Sequence, residues 1–206
     1  EPIPPSDYSR SAARKIFHVE DDRKLIVAVG RLWPQKRYRD LIWSAELLGA
    51  TREDTTLVII GDGPQKEELL RFRDSVTTPK HVAFLGARDD VTDLLPHADL
   101  FWIGSDYEGQ SNAVAEAMQS GIPVVASDIP GNRDLIEHDT TGRLFPVADR
   151  AALARESMEL LENPEHAERL AQAAKLKISD DYSVSKYIRR HVELYQELYS
   201  EQQSRS

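Results

Sequence analysis

Short apolar runs of strand length alternate along most of the chain with stretches whose apolar positions recur every three or four residues. The runs predict strands at 24–30, 55–61, 81–86, 99–103, 122–127 and 142–146. The longer-period stretches predict helices at 37–50, 64–76, 91–96, 112–120 and 131–138. Strands alternating with helices predict a parallel sheet covered by helices on both faces, an α/β doubly wound arrangement of about six strands. After residue 147 the pattern is helical throughout, at 149–162, 165–178 and 184–200, with Asp149 a start signal and Asn163-Pro164 a break. The opening Glu1-Pro2-Ile3-Pro4-Pro5-Ser6 reads as an extended linker over 1–10, with one domain over 11–200 and a disordered polar tail over 201–206.

Composition narrows the class. Hydrophobic residues at 40% and charged residues at 30% fit a globular domain, and a run such as Leu25-Ile26-Val27-Ala28-Val29 is far too short to span a bilayer. Without cysteine the chain has no disulfide, thiolate nucleophile or zinc ribbon, and with no secretory signal pattern a cytoplasmic setting is expected. The net charge of −9 argues against nucleic acid as a partner. Arg31, Lys36, Arg37 and Arg39 reverse that sign locally, which suits a small anionic ligand. The histidines are scattered and no D-x-D occurs, so no metal is expected.

In an open parallel sheet, ligands bind beyond the carboxyl ends of the strands. Two such loops carry chemistry. The segment 104–112 ends in Glu108-Gly109-Gln110-Ser111-Asn112 and opens into a helix, whose first amides and dipole favour an anion. Ser111 either caps that helix or faces a ligand. Glu116 lies on the side opposite Val114, Ala117 and Met118, where a carboxylate suits a sugar diol. In the segment 30–37, Arg31 and Lys36 stand where they could clamp a diphosphate, with a guanidinium fork and a mobile ammonium. Taken singly, each of these residues reads more simply as a solvated loop charge. Two other motifs fit poorly. Gly104 to Ser111 has P-loop spacing with Gln110 in the place of the lysine, and 109–113 resembles a hydrolase nucleophile turn with Ala113 in the place of a glycine. Gly61-Asp62-Gly63-Pro64 reads as a turn entering a helix.

Six stretches in order, VGRLWPQK (29–36), IIGDGP (59–64), FLGARDDV (84–91), HADLFWIGSDYEGQSNAVAEAM (97–118), SGIPVVASDIPGNRDLI (120–136) and TGRLFPVAD (141–149), resemble the C-terminal half of retaining glycosyltransferase family 4, group 1. The most specific element is the E-x7-E pair, Glu108 and Glu116. The resemblance runs from about residue 15 to residue 195 and implies one Rossmann-like half of a GT-B fold. It implies that Arg31 and Lys36 bind the donor diphosphate, that Glu108 meets hydroxyls of the donor sugar, and that these three carry the catalysis. It further implies that the backbone of Gly109, Gln110, Ser111 and Asn112 holds sugar and phosphate, that Glu116 holds the ribose, and that Arg88 lies near the base. The substrate implied is a UDP- or GDP-sugar without a cofactor, and the acceptor would be held by a preceding N-terminal domain. Half an enzyme would then be inactive alone, and Tyr187, Ile188, Val192, Tyr195 and Leu198 of the last helix would be only partly covered.

Two positions depart from the family pattern. Gln110 replaces an aromatic residue, which bears on the donor sugar, and Arg37 replaces a glycine, which bears on the shape of the phosphate loop. The donor's base and sugar, the acceptor and any peripheral membrane contact of a full enzyme stay open. So do two other classes, a nucleotide-binding module without turnover and a nucleotide-sugar epimerase, although the E-x7-E context fits a transferase better.

Overall fold

Strand residues that are apolar on both faces need cover on both faces, and the fold supplies it. A computed structural model describes residues 6–182 and 184–204. Strands β1 (Lys24–Val29), β2 (Thr55–Ile60), β3 (Val82–Gly86), β4 (Leu100–Ile103), β5 (Val124–Ser127) and β6 (Arg143–Phe145) form one sheet. Its order is β3-β2-β1-β4-β5-β6, and every neighbouring pair is parallel. The chain therefore winds outward from β1 to β3, then returns to the other side of β1 and winds the opposite way. Between β1 and β4 lies the point where strand order reverses.

Alternate strand residues feed two separate cores. Ile26, Ala28, Leu57, Ile59 and Trp102 pack with α2 (Tyr38–Gly49), α3 (Lys66–Val76) and α7 (Arg150–Glu162). On the opposite face Leu25, Val27, Val58, Ile60 and Phe101 pack with α1 (Arg10–Phe17), α4 (Val91–Leu94) and α5 (Asn112–Ser120). Helix α8 (Pro164–Asp181) belongs to both, giving Ala167 and Leu170 to the first core and Ala174 and Ile178 to the second. Each fully buried aliphatic side chain contributes about 1.5–3 kcal/mol.

The doubly wound α/β sheet of six strands is as the periodicity predicts, and three local expectations change. Helix α1 begins inside the expected linker; its inward face carries Arg14, only 2% exposed, whose guanidinium donates to the carbonyls of Glu20 and Arg23 and to Asp99. The helix expected over 131–138 is the four-residue α6 (Pro130–Arg133), followed by buried Leu135 and Ile136. The last helix, α9 (Val184–Ser204), runs past residue 200 into the expected tail, while residues 1–5, 205 and 206 of the linker and tail lie outside the described residues. On α9, Ile188, Val192, Tyr195 and Leu198 are exposed, whereas the side chain of Tyr187 is among those not described.

The carboxyl ends of β1 and β2 touch backbone to backbone. The Gly30 amide donates to the Ile60 carbonyl at 3.0 Å, and a Cβ on Gly61, whose φ is 147°, would overlap the Gly30 carbonyl oxygen. Neither strand can retreat without breaking the ladder. Gly61→Ala is expected to cost about 3 kcal/mol or more, combining backbone strain with overpacking. Urea unfolding should show a lower midpoint at unchanged slope, and an unchanged midpoint would contradict this close approach.

Candidate functional site

The loop after β1 is shaped by its neighbour after β2. The Leu32 amide donates to the Asp62 carbonyl at 2.9 Å, and the Leu32 carbonyl accepts from the Gln65 amide at 3.1 Å. A Cβ on Gly63 would lie 2.7 Å from the Leu32 carbonyl oxygen, so the turn at 61–64 is the wall against which this basic loop rests. Buried Leu32 anchors the loop, and a single 3-10 turn, Pro34–Lys36, carries Lys36 back over the sheet. There it meets the loop after β4, where the Asp106 amide donates to the Gln35 carbonyl at 2.8 Å and the Tyr107 hydroxyl to Gln35 Oε1 at 3.1 Å.

The two loops close on a charge pair. Lys36 Nζ donates to Glu108 Oε1, and the Ser105 hydroxyl donates to the same oxygen at 2.6 Å. The Lys36 and Glu108 side chains are 16% and 11% exposed, so little solvent screens them. Beside them the Tyr38 hydroxyl is buried, and burial together with the Glu108 charge pushes its pKa up, so it stays protonated. Arg31 stands in the same loop, exposed, and its side chain has no hydrogen bond or ion pair among the described residues.

Arg37 resolves one departure from the family pattern. It lies at φ 52° and ψ 38°, the left-handed conformation that a glycine would take, between the 3-10 turn and the start of α2. Its guanidinium spans Asp40 Oδ2 at 2.7 Å and Asp106 Oδ1 at 2.8 Å, tying α2 to the loop after β4. The loop keeps a glycine-type turn without a glycine.

Past Glu108 the chain turns into α5. Gly109 and Gln110 are exposed, and a Cβ on Gly109 would meet nothing within 4 Å. The turn does not demand a positive φ at Gly109, so the close turn argued from its residue type is not a steric requirement. The constraint lies beneath, where a Cβ on Gly131 of α6 would lie 2.5 Å from the Glu108 carbonyl oxygen and 2.6 Å from that of Gly109. Ser111 is buried and caps α5, accepting from the Val114 amide at 3.4 Å, so its hydroxyl faces the helix. Asn112 is exposed beside it, and Gln110 reaches Tyr182 at the end of α8. Gln110, Asn112, Ala115, Tyr182 and Arg190 line a cavity of 510 Å³ there. One turn on, Glu116 is half-buried with no carboxylate partner among the described residues, and burial raises its pKa.

Arg88, in the loop after β3, is already engaged. It makes a two-pronged bond to Asp90 at 2.7 and 2.6 Å, which holds the Asp90 carboxyl down to about 2, and Asp90 also accepts from the Tyr8 hydroxyl. Two of its five N–H groups are thereby spent on Asp90. The hydrolase arrangement does not form: Ser111 is a cap, His138 accepts from the Leu144 amide, and His166 pairs with Asp139. No group of three or more His, Asp or Glu among the described residues is placed to hold a metal ion. The residues singled out thus lie on three loops and the first turns of α5, with Arg31, Lys36 and Glu108 on the two loops that meet. Such an arrangement can hold a polyanion and accept hydrogen bonds from hydroxyls. Ser105 and Gly131 escaped the sequence reading, although the Ser105-x-x-Glu108 spacing was available as a signal.

A family model described as Glycosyl transferases group 1 matches residues 9–177. N-acetyl-alpha-D-glucosaminyl L-malate synthase of Bacillus anthracis is 25% identical over 182 residues, which is 88% of this chain and 48% of that protein. The putative glycosyltransferase EpsD of Bacillus subtilis is 28% identical over 194 residues, 94% of this chain and 50% of that protein. Among solved structures, HepE of Anabaena in complex with UDP-glucose superposes with a TM-score of 0.84 at 25% identity, covering 91% of this chain and 52% of that one. The chain spans about half the length of the curated relatives it matches.

Arg37→Gly should leave stability within about 1 kcal/mol of the parent, because relief of about 1 kcal/mol of left-handed strain offsets the loss of partly exposed ion pairs. Arg37→Val should cost about 2 kcal/mol, since a β-branched residue fits that conformation worst. Denaturant unfolding separates the two; a Gly variant as damaged as the Val variant would mean that the ion pairs, not the turn, hold the loop.

Proposed function

The chain belongs to the group 1 glycosyl transferases, and from that premise we propose that it binds the nucleotide-sugar donor of a hexosyl transfer that retains anomeric configuration. The observation that carries this reading is the meeting of Lys36 and Glu108 at the strand-order switch, in the loop that also holds Arg31, whose side chain has no partner among the described residues, and next to the amino end of α5. Cation, carboxylates and the first amides of a helix match the parts of a nucleotide-sugar: diphosphate, and the hydroxyls of sugar and ribose.

In this reading Arg31, Lys36 and the amides of Gly109 to Asn112 hold the diphosphate. Their work is greatest as the sugar–phosphate bond breaks, because the leaving oxygen gains charge that preorganised donors stabilise; one such donor is worth about 3–4 kcal/mol. Lys36 has three N–H groups and spends one on Glu108, so it can serve carboxylate and phosphate together. Glu108 accepts from hydroxyls of the donor sugar, and Glu116, whose carboxylate has no partner among the described residues, accepts from the ribose. The base lies along the backbone at Arg88. These cations supply the neutralising charge, so no metal is required for donor binding. UDP is the first nucleotide to try, since the HepE structure holds UDP-glucose. The acceptor is held by a second domain, which docks on the apolar positions Ile188, Val192, Tyr195 and Leu198 of α9, and transfer needs that domain; the half-length coverage of relatives supports this.

Calorimetric titration with UDP, GDP and ADP tests the reading. One nucleotide should bind, with or without EDTA, and more weakly as salt rises. Lys36→Ala and Glu116→Ala should each weaken it at least about tenfold, the loss of roughly one charge-assisted hydrogen bond. Absence of binding by all three would falsify the donor-site assignment, and unchanged affinity in Lys36→Ala would remove the diphosphate role from that loop.

A further inference from the structure

Buried Ser157 donates its hydroxyl to the carbonyl four residues earlier in its own helix, and buried Ser44 reaches both the Asp40 carbonyl of its own helix and the Arg150 carbonyl at the start of α7. A different chain of buried polar groups runs between elements and ends at Glu108. Asn132 of α6, fully buried, donates through Nδ2 to the carbonyl of Ser127 at 2.9 Å and to its hydroxyl at 3.3 Å. Ser127, at the end of β5, donates its own hydroxyl to the Ser105 carbonyl at 2.7 Å. Ser105, just past β4, gives its hydroxyl to Glu108 Oε1. All three residues are 0% exposed.

Burying three polar side chains in a row costs free energy, which the linked bonds offset except at Asn132 Oδ1, a buried acceptor without a partner among the described residues, and such linked bonds fix one geometry better than apolar packing does. Here the geometry fixed is that of a carboxylate. Oε1 of Glu108 receives both the Ser105 hydroxyl and the Lys36 ammonium, so the protein occupies one oxygen with two donors. Oε2 has no hydrogen bond among the described residues. A carboxylate pinned by one oxygen presents the other in a fixed direction, which is what recognition of a single sugar hydroxyl requires.

We propose that Ser105 is a positioning residue for sugar recognition, holding Glu108 by Oε1 so that Oε2 faces a donor hydroxyl, with Ser127 and Asn132 bracing it from behind. This rests on the donor-site reading. Lys36 supplies charge to the same oxygen from the loop after β1, whereas Ser105 stands two residues past the end of β4 and is itself fully buried. The role belongs to sugar discrimination rather than to nucleotide affinity.

The test compares two ligands across a double-mutant cycle. UDP and UDP-glucose (or the GDP and GDP-mannose or ADP and ADP-glucose pairs, should another base bind) are titrated against the parent, Ser105→Ala, Glu108→Ala and the double variant. Ser105→Ala should keep affinity for the bare nucleotide within about twofold and lose about tenfold for the nucleotide-sugar, as expected for one charge-assisted bond. In the Glu108→Ala background the same change should have no further effect. Ser105→Thr, which keeps the hydroxyl, should restore the preference, and Ser127→Ala gives a weaker version of the loss should Ser105→Ala fail to fold. An equal effect of Ser105→Ala with and without Glu108, or an unchanged nucleotide-sugar affinity, overturns the positioning role alone. A parent that binds no nucleotide overturns the donor-site reading and this inference with it.

Discussion

Lys36 and Glu108 stand 72 residues apart and meet only because β4 returns to lie against β1. Everything distinctive about the site depends on that pairing. Had β4 continued outward past β3, the basic loop and the acidic loop would lie at opposite edges of the sheet. The reversal of strand order instead brings the two loops together, and their charged ends meet. Around the pair the protein spends close backbone contacts rather than side-chain bulk. Gly61 and Gly63 let the second loop press on the first, and Gly131 lets α6 press on Glu108 and Gly109 from below.

Those constraints also rank the departures from the family pattern. Arg37 changes less than its residue type implies, because it takes the backbone geometry of a glycine and offsets the strain with Asp40 and Asp106. Gln110 changes more. It is exposed, reaches Tyr182 where α8 ends, and borders the cavity between α5 and the last helices. An aromatic ring there would offer a flat apolar face, whereas an amide offers directional hydrogen bonds.

The sheet was legible in the sequence because strands buried on both faces leave unbroken apolar runs, as in Leu57-Val58-Ile59-Ile60. Helix α1 was not, because the face it buries carries Arg14, and a buried arginine reads as surface in any hydropathy pattern. The short α6 was over-extended because Leu135 and Ile136 continue an apolar rhythm while the backbone has already left the helix. Within the site, the charged residues and the Ser111 cap could be picked out from loop position and residue type. The buried brace of Asn132, Ser127 and Ser105 could not, since each is an ordinary small polar residue until tertiary contact aligns it with Glu108. Likewise the partner of Arg88 stands two residues away, yet nothing in the sequence says that its guanidinium turns inward to Asp90 instead of outward.

The central claim is that a nucleotide diphosphate sits across the β1–β4 switch point, between the loop of Arg31 and Lys36 and the start of α5. The most direct measurement is a map of backbone amide resonances of the labelled chain, recorded with and without saturating UDP. Binding at the switch point predicts that the amides of residues 31–33, 35–37 and 109–113 shift together and at the same ligand concentration. Shifts confined to the groove between α7 and α8, around Arg143, His166 and Arg169, would contradict it.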